Sequence, residues 1–265
     1  MTPDVSVIIP TYRRPEKLAR ALASLSSARG SRYEVIVIDD CSDGSAYKVA
    51  MEFKAQYFCK SGQQRGPSRS RNIGIDLASG KYLLFLDDDD FLTADGFDSL
   101  YQTISEGYTF VYGNFFHLYA QERVIRDLSP LTYDLLLICN RIPVGAYMME
   151  RSSIRRKFDE RMRSHEDWDF LLSNIDWARC KHVPAGVVVI DKTENHVTSM
   201  QASQPDCYLQ GPGSRSARRR QYFWLDFISV YSRFPAPNLS IHRRDMLMTL
   251  GISLDEKMLH HEETI

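Results

Sequence analysis

Tyr82-Leu83-Leu84-Phe85-Leu86-Asp87-Asp88-Asp89-Asp90 is the stretch that decides how this chain is read. An apolar run closed by clustered carboxylates has the pattern of a buried strand that delivers negative charge to its C-terminal tip. Carboxylates this close repel and raise one another's pKa, so the cluster calls for a cation. Hard oxygen ligands suit Mg2+ or Mn2+, and Mg2+ sites usually add substrate phosphates to one or two carboxylates. The plainer alternative is a solvated acidic turn ahead of Thr93-Ala94-Asp95-Gly96. The cluster by itself does not choose between the two.

The flanking sequence alternates strand and helix signals. Val5-Ser6-Val7-Ile8-Ile9 predicts a buried strand stopped by Pro10. Pro15 suits the first turn of a helix, where its missing N–H costs nothing, and Leu18, Leu22 and Leu25 follow at helical spacing. Gly30 marks a turn back. Val35 to Ile38 predicts a second strand ending at Asp39-Asp40, and Tyr57-Phe58-Cys59 a weaker third. A loop from Ser61 to Pro67 leads into a helix from about Ser68 to Ala78, capped by Gly80. Such alternation indicates an α/β fold with a largely parallel sheet and right-handed crossovers. Ligands bind beyond the carboxyl ends of such strands. Three of those ends are polar and partly acidic: Pro10-Thr11-Tyr12-Arg13-Arg14, Asp39-Asp40 and Asp87 to Asp90. Their convergence favours the functional reading.

The second half is looser. Phe110-Val111-Tyr112 and Ala185 to Ile190 predict strands, Tyr133 to Cys139 a short helix, and Phe170 to Ile175 another. Glu166 and Asp167 fall near the start of that last helix, where its dipole favours ionised carboxylates. On these residues alone, ordinary N-terminal charging of a helix is the favoured reading.

The 265 residues allow one large domain, or one with an appendage. A net charge of -1 gives no hint of nucleic-acid binding. The five scattered cysteines show neither metal spacing nor a disulfide framework and read as reduced thiols. The start of the chain lacks the basic and apolar regions of a signal peptide, and no apolar run reaches the roughly 20 residues of a membrane span. These features predict a cytoplasmic protein, with contact at the inner face of the membrane left open.

Four segments together resemble family 2 glycosyltransferases of GT-A fold. They are VSVIIPTYRR from Val5, EVIVIDDCSDGS from Glu34, RNIGIDLASGKYLLFLDDDD from Arg71 and HEDWDFLL from His165. Each is weak alone; in this order and spacing they are specific. Arg13 departs from the asparagine common in the family, and Cys41, Ser42 and Asp43 fit its acidic turn loosely. The resemblance implies an α/β GT-A domain over 1–205, with a donor half to about 115 and an acceptor half after it, and a C-terminal helical extension over 206–265. It implies an inverting, metal-dependent transfer of a sugar from a nucleotide-sugar donor, a UDP-sugar first, to a glycan or lipid-linked acceptor in bacterial surface polysaccharide synthesis.

The resemblance also assigns roles. Pro10, Thr11, Tyr12, Arg14, Asp39 and Asp40 belong to the donor loop and base pocket, where an aromatic ring can stack and Asp40 can accept the imide N–H of uracil or thymine. Arg71 meets the diphosphate. Asp89, then Asp87, hold Mn2+ or Mg2+, with Asp87 or Asp88 on ribose or metal-bound water and Asp90 behind them. The metal acts as Lewis acid and template. Asp167 is the general base and Glu166 its runner-up; a single displacement needs one carboxylate and no nucleophilic side chain. His196 completes the metal shell, touches the diphosphate, or is an ordinary loop histidine. Trp168 either floors the acceptor site or lies in the core.

Beyond a Gly211-Pro212-Gly213-Ser214 linker, basic and aromatic residues over 215–234 suggest peripheral membrane contact. Packing on the catalytic domain, or a homodimer contact, is the favoured alternative. A sugar-phosphate nucleotidyltransferase is disfavoured because no glycine lies in Pro10 to Arg14. A non-catalytic binding module of the same fold is disfavoured by the intact set Asp40, Asp87, Asp89 and Asp167. A Rossmann oxidoreductase fails because no GxGxxG follows the first strand.

Overall fold

The structure is a computed structural model that describes residues 2–28, 32–40, 43–60, 66–120, 122–138, 140–162, 164–193 and 233. His196, Gly30 and the predicted extension over 206–265 lie outside the described residues.

The chain begins with β1 (Val5–Thr11), α1 (Pro15–Ser24), β2 (Tyr33–Asp39), α2 (Ser45–Glu52), β3 (Gln56–Cys59), α3 (Pro67–Leu77) and β4 (Tyr82–Phe85). β1 pairs with β2 and β4, and β2 with β3, all in parallel. After the acid turn come β5 (Phe91–Leu92), α4 (Gly96–Ser105), β6 (Phe110–Leu118), β7 (Arg123–Arg126), α5 (Tyr133–Ile138), β8 (Tyr147–Glu150), α6 (Glu166–Asn174) and β9 (Cys180–Asp191). The sheet order is β3-β2-β1-β4-β8-β6-β9-β5, with β7 paired to β6. β8 runs antiparallel between β4 and β6, whereas β6 and β9 are parallel.

The chain first builds outward from β1 through β2 to β3, then returns to place β4 on the other side of β1. This reversal makes a switch point at the tips of β1 and β4, the kind of place where open α/β sheets bind ligands.

Two sequence expectations change. Pro10 does not stop β1; it pairs in register with Ile38. In a strand alternate residues face alternate neighbours. The Ile8 carbonyl accepts from Leu86 N–H, on the β4 side, so Pro10 also faces that side, past the last β4 partner. Its missing N–H therefore costs no ladder bond. Gly80 does not cap α3, whose C-cap is Ala78. A Cβ at Gly80 would stand 2.7 Å from the Ser6 backbone nitrogen, so glycine permits the close crossing of β1.

The core lies on both faces of the sheet, with Ile8, Ile9, Leu18, Phe85, Phe97, Phe110, Tyr147 and Phe170 fully buried. One aromatic cluster directly supports the site. Phe158 and Phe170 stack with centroids 3.9 Å apart, and Phe85 meets both edge-on at 5.3 and 5.6 Å. Such pairs add about 0.5–1.5 kcal/mol each beyond burial. They fix α6 against the tip of β4. Asn72 of α3 completes the brace by exchanging two 2.9 Å hydrogen bonds with the Phe158 backbone.

Candidate functional site

The four aspartates are not equivalent. Asp87 and Asp89 are partly open, with side chains 34% and 27% exposed, whereas Asp88 and Asp90 are buried. The chain leaves the strand here: Asp88 and Asp89 form a turn closed by the Asp90 N–H, which donates to the Asp87 carbonyl at 3.1 Å. Two partly open carboxylates separated by one residue thus stand at the β1/β4 switch point.

Each acid has its own partners. Arg71 pairs with Asp87 at 2.7 Å, and Arg14 bridges Asp88 at 3.1 Å and Asp89 at 2.8 Å. Thr11 donates to Asp88 at 2.8 Å, and Asp90 accepts the Asp191 N–H at 3.1 Å. Arg20 of α1 donates to the Asp89 carbonyl at 2.6 Å and pairs with Asp191, tying the acid turn to the end of β9. Burial raises the Asp88 pKa to about 6, against the lowering effects of Thr11 and Arg14. Burial, with Asp87 and Asp89 adding to it, raises Asp90 well above the usual range.

A second pair of acids, Glu166 and Asp167, sits at the start of α6. His165, immediately before it, takes a left-handed conformation (φ 56°), as does Arg13 (φ 54°) in the loop after β1. Non-glycine residues rarely adopt this region, and such strain clusters at functional sites. Glu166 accepts from Arg71 at 3.2 Å. Asp167 accepts the Asn140 side-chain N–H and the Trp168 backbone N–H, both at 2.8 Å. Burial raises the pKa of both acids.

Arg71 joins the two groups. It is 3% exposed, spans Asp87 and Glu166, and lies 5.3 Å over the Phe158 ring. Burial opposes its charge, but Asp87 and Glu166 outweigh that and raise its pKa. The family resemblance expects Arg71 at a diphosphate; here it is paired with Asp87 and Glu166. Its guanidinium is enclosed and already holds two carboxylates.

Several other residues predicted for the donor site are also engaged within the protein. Pro10 is buried inside β1. Thr11 is buried and bound to Asp88. Asp39 is fully buried and accepts the Tyr57 hydroxyl at 2.7 Å; burial, then Asp39, raise the Tyr57 pKa. Asp40 pairs with the buried Lys60 at 2.8 Å and accepts the Gly66 N–H at 2.8 Å. A base would have to share that carboxylate. Tyr12 is exposed, with the Arg13 guanidinium 5.2 Å from its ring. Trp168 is 1% exposed and its indole N–H donates to the Leu136 carbonyl at 2.7 Å. It belongs to the core and offers no open floor for an acceptor.

The structure adds Lys60, Arg20, Asp191 and Asn140, which the sequence reading missed. Lys60 alone had a local signal, a cation directly after a strand tip. The others reach the site from distant parts of the chain.

Among the described residues, no three His, Cys, Asp or Glu side chains form a self-sufficient metal cluster. Asp87 and Asp89 instead fit the other common arrangement, two carboxylates completed by phosphate oxygens and water.

The sequence profile of "Glycosyl transferase family 2" matches residues 6–163. Over 117 residues the chain is 36% identical to a GalNAc(5)-diNAcBac-PP-undecaprenol beta-1,3-glucosyltransferase from Campylobacter jejuni, covering 42% of this chain and 38% of that protein. The crystal structure of Staphylococcus aureus TarS 1-349 in complex with UDP-GlcNAc superposes with a TM-score of 0.64 at 17% identity, covering 96% of this chain and 77% of that one. A mannosyltransferase from Pyrobaculum calidifontis, in complex with GDP-Man and Mn2+, gives 0.56 at 12% identity over 94% of this chain and 81% of that one. The fold is that of these GT-A neighbours.

Proposed function

Because the chain belongs to glycosyl transferase family 2, we propose that it moves a sugar from a nucleoside-diphosphate donor to a hydroxyl of a glycan or lipid-linked acceptor, with inversion. One observation carries this reading. Asp87 and Asp89 are open at the β1/β4 switch point, and Arg71 links Asp87 to the Glu166–Asp167 pair. A metal-phosphate site and a candidate base thus share one buried scaffold.

Asp89 and Asp87 would hold Mn2+ or Mg2+, which, when bound, supplies positive charge for the departing diphosphate. Tyr12 offers an exposed ring to the nucleobase, while Asp39 and Asp40 shape the pocket behind it. Arg14 lies beside the diphosphate position and exchanges its aspartate contacts as the donor enters. Asp167 takes the proton of the acceptor hydroxyl as that oxygen bonds to the anomeric carbon and the bond to the diphosphate oxygen breaks. Attack opposite the leaving group inverts the configuration. Glu166 remains paired with Arg71. A UDP-sugar is the preferred donor. The acceptor class follows the undecaprenol-linked name of the Campylobacter relative, and such an acceptor places the work at the inner membrane face. No described helix is long and apolar enough to cross a membrane.

A thermal-shift panel of UDP, TDP and GDP with and without Mn2+ or Mg2+ tests the donor site. UDP should raise the melting temperature only with metal, and metal-dependent UDP release from UDP-sugars should follow. A panel with no nucleotide-dependent rise under either metal removes the reading.

A further inference from the structure

Asn140 follows α5 in the acceptor half, and its side chain makes two directed contacts. Its Oδ1 accepts the Ile142 N–H at 3.2 Å, and its Nδ2 donates to Asp167 Oδ2 at 2.8 Å. The first contact fixes the orientation of the amide. The Ile142 N–H requires an oxygen, so the NH2 group faces Asp167.

The two carboxylates of the pair are held by different kinds of partner. Glu166 is bound to the Arg71 cation. The hydrogen bonds of Asp167 come from two neutral donors, the Asn140 amide and the Trp168 N–H. A guanidinium at hydrogen-bond distance suppresses carboxylate basicity more strongly than an amide does. An ionised carboxylate has about four acceptor positions. Two neutral bonds orient Asp167 and leave positions for a hydroxyl proton.

We propose that Asn140 is a positioning residue that holds Asp167, rather than Glu166, ready for proton transfer. The inference rests on the glycosyl-transfer reading above. The charged and titratable groups around Asp167 are Glu166 on α6, Arg71 on α3, Asp87 in the acid turn and Tyr147 on β8. All of them stay in place when Asn140 alone is changed.

Asn140→Asp keeps an oxygen for the Ile142 N–H but replaces the amide donor with a carboxylate. Asn140→Ala removes both contacts. The full chain is assayed with Mn2+ and either UDP-glucose or UDP-N-acetylglucosamine, following UDP release. In both variants kcat at neutral pH should fall by about 30-fold or more, while KM and Mn2+–UDP binding stay within about twofold. The acid limb of kcat/KM should move to higher pH, further in Asn140→Asp. Losing a donor raises the Asp167 pKa, and an adjacent like charge raises it again. Unchanged kcat and an unmoved limb in both variants overturn the inference. So does a loss of Mn2+–UDP binding equal to the loss of kcat, which assigns Asn140 to the fold. Either result leaves the glycosyl-transfer reading standing. A wild-type chain that binds Mn2+–UDP but releases no UDP from either sugar removes that reading, and this inference with it.

Discussion

The acid turn Asp87–Asp90 and the start of α6 solve one problem in two ways. Both gather carboxylates at the edge of a buried core. In the acid turn, exposure sorts the residues: Asp87 and Asp89 are open, while Asp88 and Asp90 turn inward. In α6 both acids are half-buried, and the partner sorts them: a cation for Glu166, neutral hydrogen-bond donors for Asp167. The partly open acids with arginine partners are the ones that the proposed metal and phosphates would engage. A half-buried acid hydrogen-bonded by neutral donors feels the Arg71 charge only at longer range and keeps acceptor positions for a hydroxyl proton. Identical side-chain chemistry thus acquires different roles from its surroundings.

Asp167→Asn should break the comparison most severely. It preserves shape and removes the proton acceptor, so transfer should fall by about three to four orders of magnitude, with Mn2+–UDP binding unchanged by calorimetry. Near wild-type transfer would move the base elsewhere, to Glu166 first.

Arg71→Met tests the piece that both regions share. Removing one partner of a buried ion pair leaves charge uncompensated, at a cost of about 3–5 kcal/mol. The lower end applies here because Asp87 is 34% exposed and part of its pairing is screened by solvent. Urea unfolding should show a loss of about 3 kcal/mol. A loss below about 1 kcal/mol would mean that Arg71 contributes no more than a surface pair, and the link between the two regions would fail.

The sequence showed the donor half more clearly than the acceptor half, for physical reasons. β1, β2 and β4 are short β-branched or apolar runs buried on both faces, the pattern that parallel strands require. Their polar tips were visible because chemistry interrupts an apolar run abruptly. β8 and α4 escaped notice: Tyr147–Glu150 mimics any short apolar segment, and Gly96–Ser105 has no side-chain cap. The acids of the site could be read, but their partners could not. Nothing local joins Asn140 to Asp167, or Arg20 to Asp191. Trp168 was ambiguous because an aromatic beside a catalytic acid has the same sequence signature whether it faces core or site. The Leu136 carbonyl bond decides for the core.

The smallest expected effect separates the inward acids from the open ones. Asp88 has its folded pKa raised to about 6, mainly by burial. An unfolded aspartate titrates near 3.9. Between roughly pH 4 and 6 the folded chain therefore binds more protons than the unfolded chain at this position. Ionising Asp88 opposes folding, so its contribution is least unfavourable below that window and becomes costly as pH rises through it. Asp88→Asn removes the charge while keeping a group that can hydrogen-bond Thr11. In chelator, the variant should be more stable than wild type at pH 7 by on the order of 1 kcal/mol, after allowing for the lost Arg14 contact. That advantage should shrink toward pH 4. A variant that is less stable at pH 7, or an advantage that does not vary with pH, would mean that Arg14 and Thr11 stabilise the Asp88 charge more than burial opposes it. Asp88 would then resemble its open neighbours, and exposure alone would no longer sort the acid turn.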